Sequence, residues 1–200
     1  MDLPKQMEAY FDTLADTWDN NPAGFDKREE IIRMAAFPTR AVVADMGCGK
    51  GVMFPHLLKL NPVQIIGIDI SGKMLSAARA LFSDPRIELI QGDVLALPLP
   101  LLDAALLFNA YPHFLDRTGL ARKLAAHMEP GALFVIAHGR GRAELNAHHQ
   151  DQAMAKLSLP IEDPPAAALH FAPWFAVKQA EDTDALYFLK MERTQEPVNP

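Results

Sequence analysis

Short apolar runs alternate with amphipathic stretches along most of the chain. Residues 41–46 (AVVADM), 64–70 (QIIGIDI), 87–90 (IELI), 102–108 (LDAALLF) and 132–137 (ALFVIA) are apolar and rich in β-formers. Continuous apolar runs of this length suit strands buried on both faces, as in a parallel sheet. Between them the spacing predicts helices over 52–60, 72–82 and 117–128. Such alternation builds βαβ units, so the pattern predicts an α/β fold with helices on both faces of the sheet. Two more helices are expected over 5–18 and 25–36, broken by Asn20-Asn21-Pro22-Ala23-Gly24. Beyond the fifth strand, 143–159 reads as a helix and 160–173 as a proline-bearing loop with a short helix at 164–171. The segments 174–179 and 185–191 read as a closing hairpin, which makes the last strand antiparallel. Nothing repeats, and one domain over 1–200 is expected: leading helices in 1–36, a core in 41–137 and a closing segment in 138–200.

Composition narrows the picture. Half of the 200 residues are hydrophobic and 22% are charged, a globular balance. A net charge of -6 opposes a polyanionic partner, because proteins that grip nucleic-acid backbones usually carry a basic face. A lone cysteine, Cys48, rules out an internal disulfide. Residues 1–5 are not followed by an apolar run of signal-peptide length. No apolar segment approaches the ~20 residues that span a bilayer. A cytoplasmic location is expected.

The main candidate for chemistry is Asp45-Met46-Gly47-Cys48-Gly49-Lys50-Gly51, directly after the first strand. Glycines there let the backbone turn sharply and let a ligand lie against the main chain. Backbone N–H groups at the following helix start are expected to be available to that ligand. Val52 stands where a nicotinamide fingerprint needs its third glycine. An acidic Asp45 would oppose a pyrophosphate and suits a cationic ligand. Alone, the motif is also compatible with a plain glycine turn. Asp69 ends the second strand about 20 residues on, where a carboxylate can accept from both ribose hydroxyls; otherwise it is a helix N-cap, although Ser71 or Gly72 can serve there. Gly92-Asp93-Val94 follows the third strand, and Asn109 closes the fourth at the sheet's carboxyl edge, where open α/β sheets bind ligands.

The runs VVADMGCGKG, IIGIDISGKMLSAA, IQGDVLALPLPLLDAALLFNAYPHF and LAAHMEPGALFVIAH together resemble the class I S-adenosylmethionine-dependent methyltransferases. The chain is most similar to the type 11 group that includes ubiquinone and menaquinone biosynthesis methylases. The likeness covers about positions 10–190. It implies a Rossmann-like, doubly wound, seven-stranded sheet in the order 3-2-1-4-5-7-6 with strand 7 antiparallel. It implies S-adenosylmethionine as cofactor and S-adenosylhomocysteine as product. Asp45, Gly47, Cys48 and Gly49 would surround the methionine moiety, and Asp69 would hold the ribose. Ile70, Met74, Asp93 and Val94 would meet the adenine, and Asn109 would lie near the sulfonium. The opening YFDTLADTWD resembles the family's capping helix, with Tyr10 and Trp18 as candidates. Lys50 departs from the usual small hydroxyl residue, and Pro55 sits early in a helix, where proline is tolerated.

On the acceptor side, Asn109-Ala110-Tyr111-Pro112 lacks the paired prolines of enzymes that methylate nucleic-acid bases. A small-molecule acceptor is expected, with no nucleic acid, no membrane span and a homodimer as an open assembly state. His113 and His138, after strands 4 and 5, are candidate catalytic bases, or else loop histidines bonded to neighbours. Arg140 and Arg142 can bind an acceptor carboxylate or phosphate, or form a solvated face. No metal is expected: His138, His148 and His149 with Asn146 lack a recognisable ligand spacing and read as surface histidines. Tyr111, Phe114 and Phe171 read as packing. Cys48, near a helix N-terminus, is expected to favour thiolate and to be shielded by bound cofactor. Direct methyl transfer needs no triad, because the cofactor carries the reactive carbon. Two alternatives stand beside it: a same-fold enzyme transferring another group from the cofactor, and a non-catalytic sensor or partner subunit that binds the cofactor.

Overall fold

The computed structural model describes residues 2–18, 25–148 and 156–195. Seven strands form one sheet: β1 Val42–Met46, β2 Gln64–Asp69, β3 Ile87–Gln91, β4 Leu102–Phe108, β5 Met128–His138, β6 Phe175–Asp182 and β7 Tyr187–Arg193. Their order is β3-β2-β1-β4-β5-β7-β6. The first five pair in parallel, and β7 lies antiparallel between β5 and β6. This is the Rossmann-like sheet expected, hairpin included.

Strand periodicity divides the interior into two cores. Val43, Ile65, Leu106 and Val135 face one side, with Ile31 of α2 (Arg28–Ala35), Phe54 and Leu57 of α3 (Phe54–Leu58), and Leu75 of α4 (Gly72–Leu81). Ala44, Ile66, Leu107, Phe134 and Ile136 face the other. They pack with Leu120 and Leu124 of α5 (Arg117–His127), Leu145 of α6 (Arg142–His148) and Ala167 of α7 (Pro164–Leu169). Both faces are dry, which is why the strands read as unbroken apolar runs.

Several boundaries follow local chemistry. Ser71 caps α4 by accepting from Met74 N at 3.1 Å, so Asp69 is left for other work. Pro55 falls in the first turn of α3, where its missing N–H removes no helical bond. β5 begins at Met128, four residues before the expected strand, with a register irregularity opposite Leu102–Ala104 beside Pro130 and Gly131. The helix expected over 143–159 reaches only His148 before residues outside the described set, and 157–163 run without regular structure.

The first helix, α1 (Leu3–Leu14), stands apart: it buries none of its residues. Polar tethers hold it over the carboxyl end of the sheet. Asp12 Oδ1 accepts from Ser71 Oγ at 2.6 Å and from Lys73 N at 3.2 Å. Glu8 Oε1 accepts from Gln91 Nε2 at 3.0 Å.

Candidate functional site

The carboxyl ends of β1, β2, β3 and β4, roofed by α1, enclose a cavity of about 250 Å³. Asp45, Gly47, Cys48, Gly49, Asp69, Ile70, Met74, Asp93, Val94, Asn109, Trp18 and His113 all line it. Of the fourteen residues expected at the cofactor or as catalytic bases, twelve therefore meet around one space.

The glycine loop makes that space. Gly47 has φ +73°, and a Cβ there would lie 2.7 Å from Ala110 Cβ. Only glycine lets the β1 and β4 ends approach so closely. Three of the loop's own N–H groups are engaged by the β2 end. Gly47 N and Cys48 N donate to Ile68 O at 2.7 and 3.0 Å, and Gly49 N donates to Asp69 Oδ2 at 2.8 Å. Regular helix starts only at Phe54, so the loop is tied to β2 rather than aimed at a ligand through a helix end.

Asp69 joins two loops. Besides Gly49, it accepts from Ser71 N through Oδ1 at 2.8 Å. Each oxygen keeps further acceptor capacity toward the cavity. Burial raises its pKa, against the hydrogen bonds from Ser71 and Gly49. Asp45 differs. It is 1% exposed, and its Oδ2 is buried with no hydrogen-bond partner among the described residues. Burial, and secondarily the charge of Asp69, push its pKa up to about 7. A buried carboxylate so placed is complementary to a cation. Asp93 Oδ1 accepts from Leu95 N at 2.9 Å, fixing the carboxylate at the β3 end.

Cys48 corrects one expectation. It is buried, and burial, then the charges of Asp45 and Asp69, push its pKa well up. The negative neighbours outweigh any helix dipole, and the thiol stays protonated. Thiol reagents should label native protein at least about 10-fold more slowly than an exposed cysteine even without ligand. Fast labelling of ligand-free protein would contradict this placement.

Asn109 closes β4 in the left-handed region, at φ +54°, which asparagine tolerates better than most residues. Its N donates to Ala137 O at 2.9 Å, and its Oδ1 accepts from Gly139 N at 3.1 Å, locking the β4 and β5 ends together. His113 follows in a short 3₁₀ turn, Tyr111–His113. Its Nδ1 lies 3.0 Å from Leu157 O. A carbonyl only accepts, so Nδ1 bears the hydrogen and neutral His113 keeps Nε2 as its accepting nitrogen.

Two candidates lie elsewhere. His138 is 1% exposed, edge-on to Tyr187 with centroids 6.0 Å apart, and is not on the cavity wall. The strand alternation that turns Phe134 and Ile136 toward the α5 core turns His138 the same way. Tyr10 packs edge-on against Phe11 at 5.4 Å, and Phe11, not Tyr10, reaches the wall. Leu3, Met7 and Phe11 form the wall face of α1, and their spacing of four in the sequence is the signal that marks this face. Phe114, read as packing, also lines the cavity. Arg140 and Arg142 pair with Glu144 at 2.6 Å and Asp182 at 2.7 Å. Asn146 clamps Ile161, donating to its carbonyl at 3.0 Å and accepting from its N–H at 2.7 Å. His149 and the side chain of His148 lie outside the described residues, among which no group of three or more metal-ligating side chains occurs.

Residues 43–131 match the family model of a methyltransferase domain. That match runs from β1 into β5. No curated protein sequence matches it. Among solved structures, it is similar to a chain from the complex between the Haloferax volcanii Trm112 methyltransferase activator and a methyltransferase. That match has 15% identity, covers 92% of this chain and 97% of the other, and has a TM-score of 0.77. Magnesium protoporphyrin IX methyltransferase from Synechocystis PCC 6803, solved with bound SAH, is 14% identical over 96% of this chain and 100% of its own, with a TM-score of 0.72. A SAM-dependent methyltransferase from Aquifex aeolicus is 15% identical over 94% and 98%, with a TM-score of 0.71. At these identities the likeness is one of fold. No helix among the described residues is long and apolar enough to cross a membrane.

Proposed function

We propose that this protein uses S-adenosylmethionine to methylate a small molecule. The observation that carries the reading is Asp45: a buried, unpartnered carboxylate oxygen facing a cavity that also gathers Gly47, Asp69 and Asp93. Those residues fit the cofactor's groups. Asp45 suits its cationic end, Asp69 its ribose hydroxyls, and Asp93 with Ile70, Met74 and Val94 its adenine. The bound cofactor supplies an electrophilic methyl carbon open to direct in-line displacement.

The chain's part is orientation, exclusion of water and movement of a proton. Leu3, Met7 and Phe11 of α1 close the cavity from above, which keeps water from the reacting groups. His113 receives the acceptor's proton at Nε2, its tautomer set by the Leu157 carbonyl. Asn109 holds the β4 and β5 ends in register beside it. Holding reactants in line can by itself contribute about 7–11 kcal/mol.

S-adenosylhomocysteine at 100 times its dissociation constant should stabilise the fold by about 2.7 kcal/mol. That corresponds to a rise in melting temperature of roughly 2–4 °C per kcal/mol. Asp69→Ala should abolish most of this shift and also destabilise the apoprotein by about 1–3 kcal/mol, because Gly49 N and Ser71 N lose their acceptor. No shift in wild type at millimolar ligand would sink the methyltransferase reading. Binding without any methyl transfer across broad acceptor screens would favour a cofactor-binding subunit. A product other than S-adenosylhomocysteine would favour transfer of a different group.

A further inference from the structure

We infer that the acceptor is an aromatic hydroxyl or amine compound carrying no acidic group. The inference rests on the methyltransferase reading and concerns the same cavity.

Charge is the first observation. The wall carries four carboxylates, Asp45, Asp69, Asp93 and Asp116, and no lysine or arginine among the described residues. The residues outside the described set, 1, 19–24, 149–155 and 196–200, include neither residue type. The arginines nearest the rim in sequence are turned to other partners. Arg117 is 4% exposed and ion-paired with Glu162, and its Nη2 donates to Pro160 O at 2.8 Å. Arg140 and Arg142 are paired with Glu144 and Asp182. S-adenosylmethionine brings one net positive charge, which leaves the cavity negative even with Asp45 protonated. An acceptor bearing a carboxylate or phosphate would enter without a cationic partner and against like charge. This removes the role sequence spacing offered Arg140 and Arg142.

Shape is the second. Beside the glycine loop the wall turns aromatic. Phe11 stands edge-on to Trp18, centroids 6.2 Å apart, and edge-on to His113 at 4.9 Å. A Cβ on Gly47 would lie 3.9 Å from Phe114 Cε2, and one on Gly49 3.9 Å from Trp18 Nε1. Phe11 of the roof, Trp18, Phe114 and the His113 ring thus share one part of the wall with Leu115 and Ala110. Ring faces and edges favour a flat aromatic guest and tolerate a cation, while giving an anion nothing to bond.

Matched acceptor pairs test this: catechol against 3,4-dihydroxybenzoate, tyramine against 4-hydroxyphenylacetate, and 8-hydroxyquinoline against its 2-carboxylate. Each is titrated into protein saturated with S-adenosylhomocysteine, read by thermal shift, and assayed for methyl transfer from labelled S-adenosylmethionine. At least one non-acidic member should bind, and its carboxylated partner should bind about 10-fold more weakly or worse. Phe11→Arg, on a helix with no buried residue, should narrow that ratio by supplying the missing cation. Equal or tighter binding of the carboxylated partners overturns the inference, as does failure of every non-acidic aromatic to bind at millimolar concentration. Failure of S-adenosylhomocysteine itself to bind would fell the methyltransferase reading instead, so the two are separable.

Discussion

His113→Asn is expected to lower methyl transfer to a hydroxyl acceptor by about 10²–10⁴-fold, the range over which a positioned general base acts. Asparagine places an amide N–H where the histidine Nδ1 stands, so the bond to Leu157 O survives while the accepting Nε2 is lost. His113→Gln makes the converse change, with an amide near Nε2 and no donor to Leu157. Both variants should bind S-adenosylhomocysteine nearly as wild type does, because the glycine loop, Asp45, Asp69 and Asp93 are untouched. If His113→Asn turns over at the wild-type rate, no base is used and orientation alone carries the reaction.

Asp45 should make cofactor affinity depend on pH. With its pKa near 7, the carboxyl of ligand-free protein is largely protonated at pH 5.5. A cationic ligand group favours the ionised form, so binding releases a proton. Affinity for S-adenosylhomocysteine should therefore rise about 10-fold per pH unit below the midpoint and level off above it. The stability effect has the opposite sign. The folded pKa exceeds the ordinary carboxyl value of 3.8, so Asp45 contributes most at low pH. That contribution is lost as pH rises through 7. Melting temperatures of apo wild type and Asp45→Asn should thus diverge between pH 5 and 8, with wild type losing ground. Asp45→Asn should bind the ligand more weakly at pH 7.5 and show a flat affinity profile. A wild-type affinity that does not change with pH would place the cation elsewhere.

The two periodicities carried most of the architecture. Runs such as QIIGIDI alternate between two dry cores and so read as inner strands, and the closely spaced pair 174–179 and 185–191 marked the antiparallel hairpin. The glycine loop, Asp69 and Asp93 were legible because each stands at a strand's carboxyl end, a position that sequence fixes directly. Side-chain direction was not legible. His138 ends β5 as Asn109 follows β4, yet alternation turns it into the α5 core beside Tyr187, whereas the left-handed Asn109 stays at the cavity. Tyr10 and Phe11 are neighbours in sequence, and 100° of helical rotation decides which reaches the wall. The state of the Cys48 thiol is not legible either, because burial first, and then two carboxylates that only the folded loop brings near, push its pKa up.

The first helix is tethered by Asp12 and Glu8, and its apolar side lines the cavity, with Phe11 against the His113 ring. Its detachment would leave both cores of the sheet intact, because it buries none of its residues in them. Ligand exchange can proceed by peeling away one short segment at the amino end, a local opening far cheaper than unfolding the domain. Mass action then ties the lifetime of that opening to the free ligand concentration. A protease that cuts within residues 3–14 would accordingly report how much of the protein is loaded, molecule by molecule, while the sheet remains folded.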